Sequence, residues 1–335
     1  MTRHTLKKYV LPLALLGLAL STSNSLAQSA LSARLPHPQP GTSHPAAPAS
    51  DGILPASSAY TFTFINYPGQ LNTAYVGVNL GATASQQMMV GVYNTESPFI
   101  GFLVDFSNTD GVATETFGAV QNYPGSTTSS PLGINNSGQI IGQYTDSAGN
   151  YHGYVLSDGN FKAINVPFQG AVNTDPQCIN DEGDIVGLWG PSLQQGFEET
   201  GGVYSVIQFP GATITFPFGI NDSGDVVGVY IGEGTNLGFE LSGGVYTTIQ
   251  VPGSSATFAT AINNSGEIVG WYCPTSACDA QEGFILKGGV YSKIAVPEAT
   301  STIPYNLSDA GLIAGNYYDG KLGTALSYGF VAVPK

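Results

Sequence analysis

Residues 219–230 read Gly-Ile-Asn-Asp-Ser-Gly-Asp-Val-Val-Gly-Val-Tyr, and this phrase decides the fold. A short apolar run ends in Ile220-Asn221, a polar Asp222-Ser223-Gly224 turn follows, and a β-branched run closes on Tyr230. That is strand, tight turn, strand. Near copies begin at Gly133 (GINNSGQIIGQY), Cys178 (CINDEGDIVGLW) and Ala261 (AINNSGEIVGWY). A weaker copy begins at Asn306 (NLSDAGLIAGNY), and a degenerate first one leads from Gly81 to Gly91 and Tyr93. The second glycines fall at Gly91, Gly142, Gly187, Gly228, Gly270 and Gly315. Spacings of 41 to 51 residues match a propeller blade and exceed a leucine-rich repeat.

Each unit carries two further strands. The third opens on a glycine–aromatic pair: Gly101-Phe102, Gly153-Tyr154, Gly196-Phe197, Gly238-Phe239, Gly283-Phe284 and Gly329-Phe330. The fourth follows a Gly-rich hairpin and stops at a proline such as Pro167, Pro210 or Pro252, which cannot donate to a continuing ladder. The last unit reaches only its third strand, whereas 60–67 (YTFTFINY) matches a fourth strand without a unit of its own. The expectation is an all-β, six-bladed propeller of four-stranded antiparallel blades, its last blade closed by the N-terminal strand. Closure removes sheet edges that would otherwise template aggregation.

The same repeats resemble the HAF-repeat family of probable extracellular repeat proteins, across essentially Tyr60 to the C-terminus. The family's His-small-aromatic triplet is matched by His152-Gly153-Tyr154; the other units place Ile100, Gln195, Leu237, Glu282 and Tyr328 at its first position. The resemblance implies secretion and a repeat fold, and no established activity.

Ahead of the repeats, residues 1–27 have the form of a signal peptide. Arg3, Lys7 and Lys8 precede an apolar run from Tyr9 to Leu20, and Ser25-Leu26-Ala27 offers small residues to a signal peptidase. The run is shorter than the roughly 20 residues a membrane span needs. Residues 28–58 hold six prolines among Ala, Ser and Gly, the composition of a disordered linker. The propeller then occupies 59–335, and the expected location is extracellular or periplasmic, with no membrane insertion after cleavage.

Charge excludes whole classes of partner. After cleavage, Arg34 and five lysines face 23 acids, a net charge near −17. Nucleic acids and anionic lipid surfaces are bound through Lys and Arg, so neither is expected. A single ordered imidazole, His152, rules out a histidine-rich metal site, and no Gly-x-Ser-x-Gly elbow accompanies it for triad chemistry.

Several residues remain as candidates. Asp181, Asp184, Asp222 and Asp225 recur in the turns and are hard-oxygen donors suited to Ca²⁺, although Asn-Asp-Ser-Gly is also what a tight turn requires. No other cofactor is expected. Trp189, Trp271 and Tyr272 could stack on sugar rings or pack between blades; with His152 they form the candidate ligand set. Cys273 and Cys278 flank an insertion and are expected to form a disulfide in an oxidising compartment, leaving Cys178 unpaired. Together these features point to a monomeric, non-catalytic binding or structural propeller for a glycan, envelope component or protein. The alternative is a glycan-active enzyme using paired carboxylates on one rim.

Overall fold

The computed structural model describes residues 54–55, 59–64, 73–79, 81–82, 86–93, 100–109, 112–232, 234–318 and 327–335. Residues 1–27, expected to be a signal peptide, and most of 28–58, expected to be a linker, lie outside the described residues. The chain forms six antiparallel sheets of the expected four strands, and one gains a fifth strand. Blades one to five run 73–119, 128–164, 174–207, 214–249 and 256–294 in sequence order. The sixth joins Ser301–Leu307, Ile313–Tyr318 and Ser327–Pro334 to the N-terminal strand Tyr60–Phe64. In that last pair Tyr60 opposes Pro334 and Phe64 opposes Phe330. The ring therefore closes as the sequence implied. Val78, Met89 and Phe102 of the first blade share one core with Leu312, Ala314 and Val331 of the sixth.

The recurring motifs have simple steric reasons. A Cβ on Gly228 would lie 2.0 Å from the Phe216 carbonyl and 2.8 Å from the Phe239 ring. On Gly270 it would lie 1.9 Å from the Phe258 carbonyl and 2.8 Å from the Phe284 ring. The glycine of each second strand thus leaves the hole into which the aromatic of the third strand stands. Those aromatics, Phe102, Tyr154, Phe197, Phe239, Phe284 and Phe330, are all fully buried. The glycine before the aromatic meets the next blade instead, as Gly153 does with Pro176 and Gly283 with Pro304. Each inner strand also has a register shift at one matching place, such as Pro176/Cys178 and Pro217/Gly219. These bulges increase twist where six strands crowd one axis.

The turns lock neighbouring blades together. Asn221 Oδ1 accepts bonds from the Ser223 and Asp225 amides at 3.1 and 2.9 Å, closing its own turn. Its Nδ2 reaches across to donate to the Asn263 carbonyl at 3.2 Å. Asn135, Asn180 and Asn263 repeat this link to the blade that follows each. All four are almost fully buried, so these amides carry inter-blade register as well as turn geometry.

Candidate functional site

A propeller offers ligands three places: the axial end at the turns, the axis itself, and the opposite axial end. At the turn end a second set of polar side chains encircles the axis. Asp181 accepts from the Asn136 amide at 2.7 Å, Asp222 from the Asp181 amide at 2.9 Å, and Asp309 from the Asn264 amide at 2.8 Å. Asn264 Oδ1 accepts from the Asp222 amide at 2.9 Å, while its Nδ2 donates to Asp222 and Asp309 at 2.6 and 2.9 Å. Asp184 and Asp225 sit further along their turns, beside Asn180 at 3.5 Å and Asn221 at 3.2 Å. The acidic turns are thus tied up holding backbone amides and the next blade. Burial, reinforced by Asp222 and Asp309, raises the Asp181 carboxyl above its usual range. Among the described residues no group of three or more His, Cys, Asp or Glu converges to hold a metal ion.

All six blades line one cavity of about 20 Å³ through residues such as Val78, Gly133, Cys178, Gly219, Ala261 and Leu307. That is room for about one water. Cys178 is unpaired at this wall, and burial pushes its thiol up.

Asp175 breaks the repeat at the opposite end. It is the second residue of the inner strand Thr174–Ile179, five residues before Asn180 of the turn, or about 16 Å along a strand. The matching positions are Ala74, Ser130, Phe216, Phe258 and Ile303. Asp175 is half-buried, and its Oδ1 is sealed from solvent with no hydrogen-bond partner. Burial raises its carboxyl from 3.8 to about 7, a rise that a side-chain bond from Gln177 only partly opposes. On the next two blades the matching positions are aromatic, with Phe216 6.2 Å from Phe218 and Phe258 stacked on Trp271 at 3.9 Å. A carboxylic acid poised near neutrality beside an amide can donate or accept a hydrogen bond to a polar ligand.

The residues singled out from sequence are scattered. Trp189 is buried, donates to the Gly196 carbonyl at 3.2 Å and meets Phe168 edge-on. Trp271 is equally buried, and Tyr272 donates from its hydroxyl to Glu282 at 2.5 Å, with Lys293 on the other Glu282 oxygen at 2.8 Å. None of the three turns a free ring face to solvent; each is packing within or between blades. Burial and then Glu282 hold the Tyr272 hydroxyl well above its ordinary range, so it is not an activated base. His152 lies on the rim of the second blade, its Nδ1 2.9 Å from Asn165 and its Nε2 3.0 Å from Asp146. Both ring nitrogens are occupied, which leaves none to activate a nucleophile. Cys273 and Cys278 are joined as a disulfide, with Cα atoms 4.9 Å apart.

Sequence reasoning missed Asp175. The available signal was an acid immediately before a strand proline, Pro176, where sister blades hold Ser130, Phe216 or Ile303.

No family model matches this chain, and no curated protein matches it. Similar solved structures are other propellers at low identity. A streptogramin B lyase is 11% identical with a TM-score of 0.43, over 84% of this chain and 99% of that one. TolB from Acinetobacter baumannii is 14% identical with a TM-score of 0.47, over 80% and 65%. YCF48 bound to D1 peptide is 10% identical with a TM-score of 0.45, over 88% and 100%.

Proposed function

We propose that this protein is an exported binding propeller whose ligand, a glycan or an exposed segment of a protein, docks at the axial end marked by Asp175. The single observation that carries the reading is the sealed, unpartnered Oδ1 of Asp175 on an inner strand whose sister positions are apolar or hydroxylic. Unpaired buried polar atoms are costly, and a ligand donor or acceptor would relieve the cost. At the turn end, by contrast, the polar ring is satisfied within the protein. Export is supported by the Arg3-to-Ala27 segment and the acidic, arginine-poor repeat region. The paired-carboxylate alternative is less well supported. It needs two acids free to exchange protons about 5–10 Å apart, whereas the adjacent carboxylates of the turn end, Asp222 and Asp309, share Asn264 Nδ2 and each also accept a backbone amide.

The test compares the wild type with Asp175→Ala and, at the turn end, Asp222→Ala on a glycan array and on immobilised envelope extract. Binding that Asp175→Ala abolishes and Asp222→Ala preserves supports the reading. Binding lost equally in both, or unaffected in both, removes Asp175 from the site.

A further inference from the structure

Leu54–Pro55 lies in parallel on the outer strand of the fifth blade, Val290–Ile294, opposite Ser292 and Lys293. It makes that blade five-stranded and belongs to no repeat unit. It is an extended segment captured by main-chain pairing. Pro55 has no N–H, so the added strand offers a poor edge for further growth.

The outer strands of the third and fourth blades repeat the acceptor. Val203–Ile207 reads Val-Tyr-Ser-Val-Ile and Val245–Ile249 reads Val-Tyr-Thr-Thr-Ile, against Val-Tyr-Ser-Lys-Ile in the fifth. All three follow a two-glycine hairpin: Gly201-Gly202, Gly243-Gly244 and Gly288-Gly289. The two sister strands end their sheets, with no described strand on their outer side. Lys293, which lies opposite Pro55 on the covered edge and pairs with Glu282 at 2.8 Å, is replaced there by Val206 and Thr248. Val203 and Val245 are 71% and 61% exposed, against 42% for Val290 on the covered edge. Both open edges also carry an acid on the adjoining strand, Glu198 opposite Ser205 and Glu240 opposite Thr247. Apolar, acid-flanked edges call for a specific occupant.

We propose that the outer edges of the third and fourth blades are strand-addition sites for an extended, proline-containing apolar segment of another polypeptide that carries a basic residue. Main-chain pairing supplies the affinity, the exposed valines select apolar side chains, and Glu198 and Glu240 select the basic one. The added strand pairs in parallel, as Leu54–Pro55 does on the fifth blade.

The probe is a capped peptide of sequence Gly-Ile-Leu-Pro-Ala-Lys, built on residues 52–56 of this chain with a lysine added. Amide hydrogen exchange of the full mature chain is followed with and without it. At a peptide concentration ten times its dissociation constant, exchange at 203–207 and 245–249 should slow about tenfold. Replacing the peptide lysine with glutamate should weaken binding roughly fivefold or more at low salt. Val203→Lys and Val245→Lys, at matching exposed positions, set a positive charge against the peptide's own lysine and should each remove protection at one edge while leaving the melting temperature unchanged. Unchanged exchange at both edges overturns the proposal. So does protection confined to 290–294, which would mean exchange with the chain's own strand. Concentration-dependent dimerisation that protects the same edges without peptide would instead make a second copy the occupant and refute a foreign one.

Discussion

Replacing Asp175 with asparagine should stabilise the fold at high pH and not at low pH. The folded protein raises this carboxyl from 3.8 to about 7 through burial. In the unfolded chain it ionises near 3.9. A carboxyl raised on folding binds its proton more tightly in the native state, so ionisation opposes folding. The penalty is absent below about pH 4, grows as pH climbs from there to about 7, and is complete above that. At about 1.4 kcal/mol per unit the ceiling is about 4 kcal/mol. Because Asp175 keeps part of its surface in water, solvent screening brings the expectation to about 2 kcal/mol. Asparagine has the same shape and no charge, and its own constant cost is the same at every pH. The assay is urea unfolding of both proteins at pH 4, 6, 7 and 8. Titration of the other acids is common to both and cancels in the difference. The stability of the Asp175→Asn variant minus that of the wild type should rise by about 2 kcal/mol across that range. A flat difference, or one that falls with pH, would show Asp175 to be ionised in the native state and would remove the reason for placing a ligand there.

Gly270→Ala should cost about 3 kcal/mol or more, because the new methyl meets the Phe258 carbonyl and backbone cannot move as a side chain can; a melting temperature within about two degrees of wild type would contradict it. Gly118→Ala, with open space around its Cβ, is the neutral control. Asn221→Ala removes two turn bonds and the link to Asn263, and should lower unfolding free energy by about 2–3 kcal/mol, whereas Ser223→Ala should change it by less than about 0.5. Deleting residues up to 58 should leave a cooperative thermal transition, while deleting up to 66 removes the partner of Ser327–Pro334 and should leave soluble aggregates or no transition by calorimetry.

Much of the fold could be read directly from the chain. The phrase at Gly219 to Tyr230 and its copies carry strand, turn and strand in a local pattern. Glycines such as Gly138, Gly224 and Gly266 sit at positive φ, as the turn chemistry demands. Closure was legible because Tyr60–Phe64 and Ser327–Pro334 are complementary fragments of one unit. The two-residue strand Leu54–Pro55 was not legible, since two residues carry no hydrophobic period and the surrounding prolines read as linker.

The candidate site was the least legible part. Trp189, Trp271 and Tyr272 stand out in composition, yet Trp189 and Tyr272 hold the ring position repeated on every blade and are consumed by packing, and Trp271 is covered by its stack on Phe258. The acids of the turns stand out for the same reason and are consumed by amides of the next blade. Those contacts join residues 41 to 45 positions apart, so nothing in a local window announces them.

By itself the sequence determined the repeat, its strand order and the ring closure, because periodicity and turn chemistry are properties of short segments. The tertiary structure alone decided which repeated side chains are spent on packing, that all six blades line one small cavity at the axis, that Asp175 Oδ1 sits sealed and unpartnered, and that the outer strands of the third and fourth blades expose Val203 and Val245. Each of those depends on how much water reaches a group, and solvent access is set by residues distant in the chain.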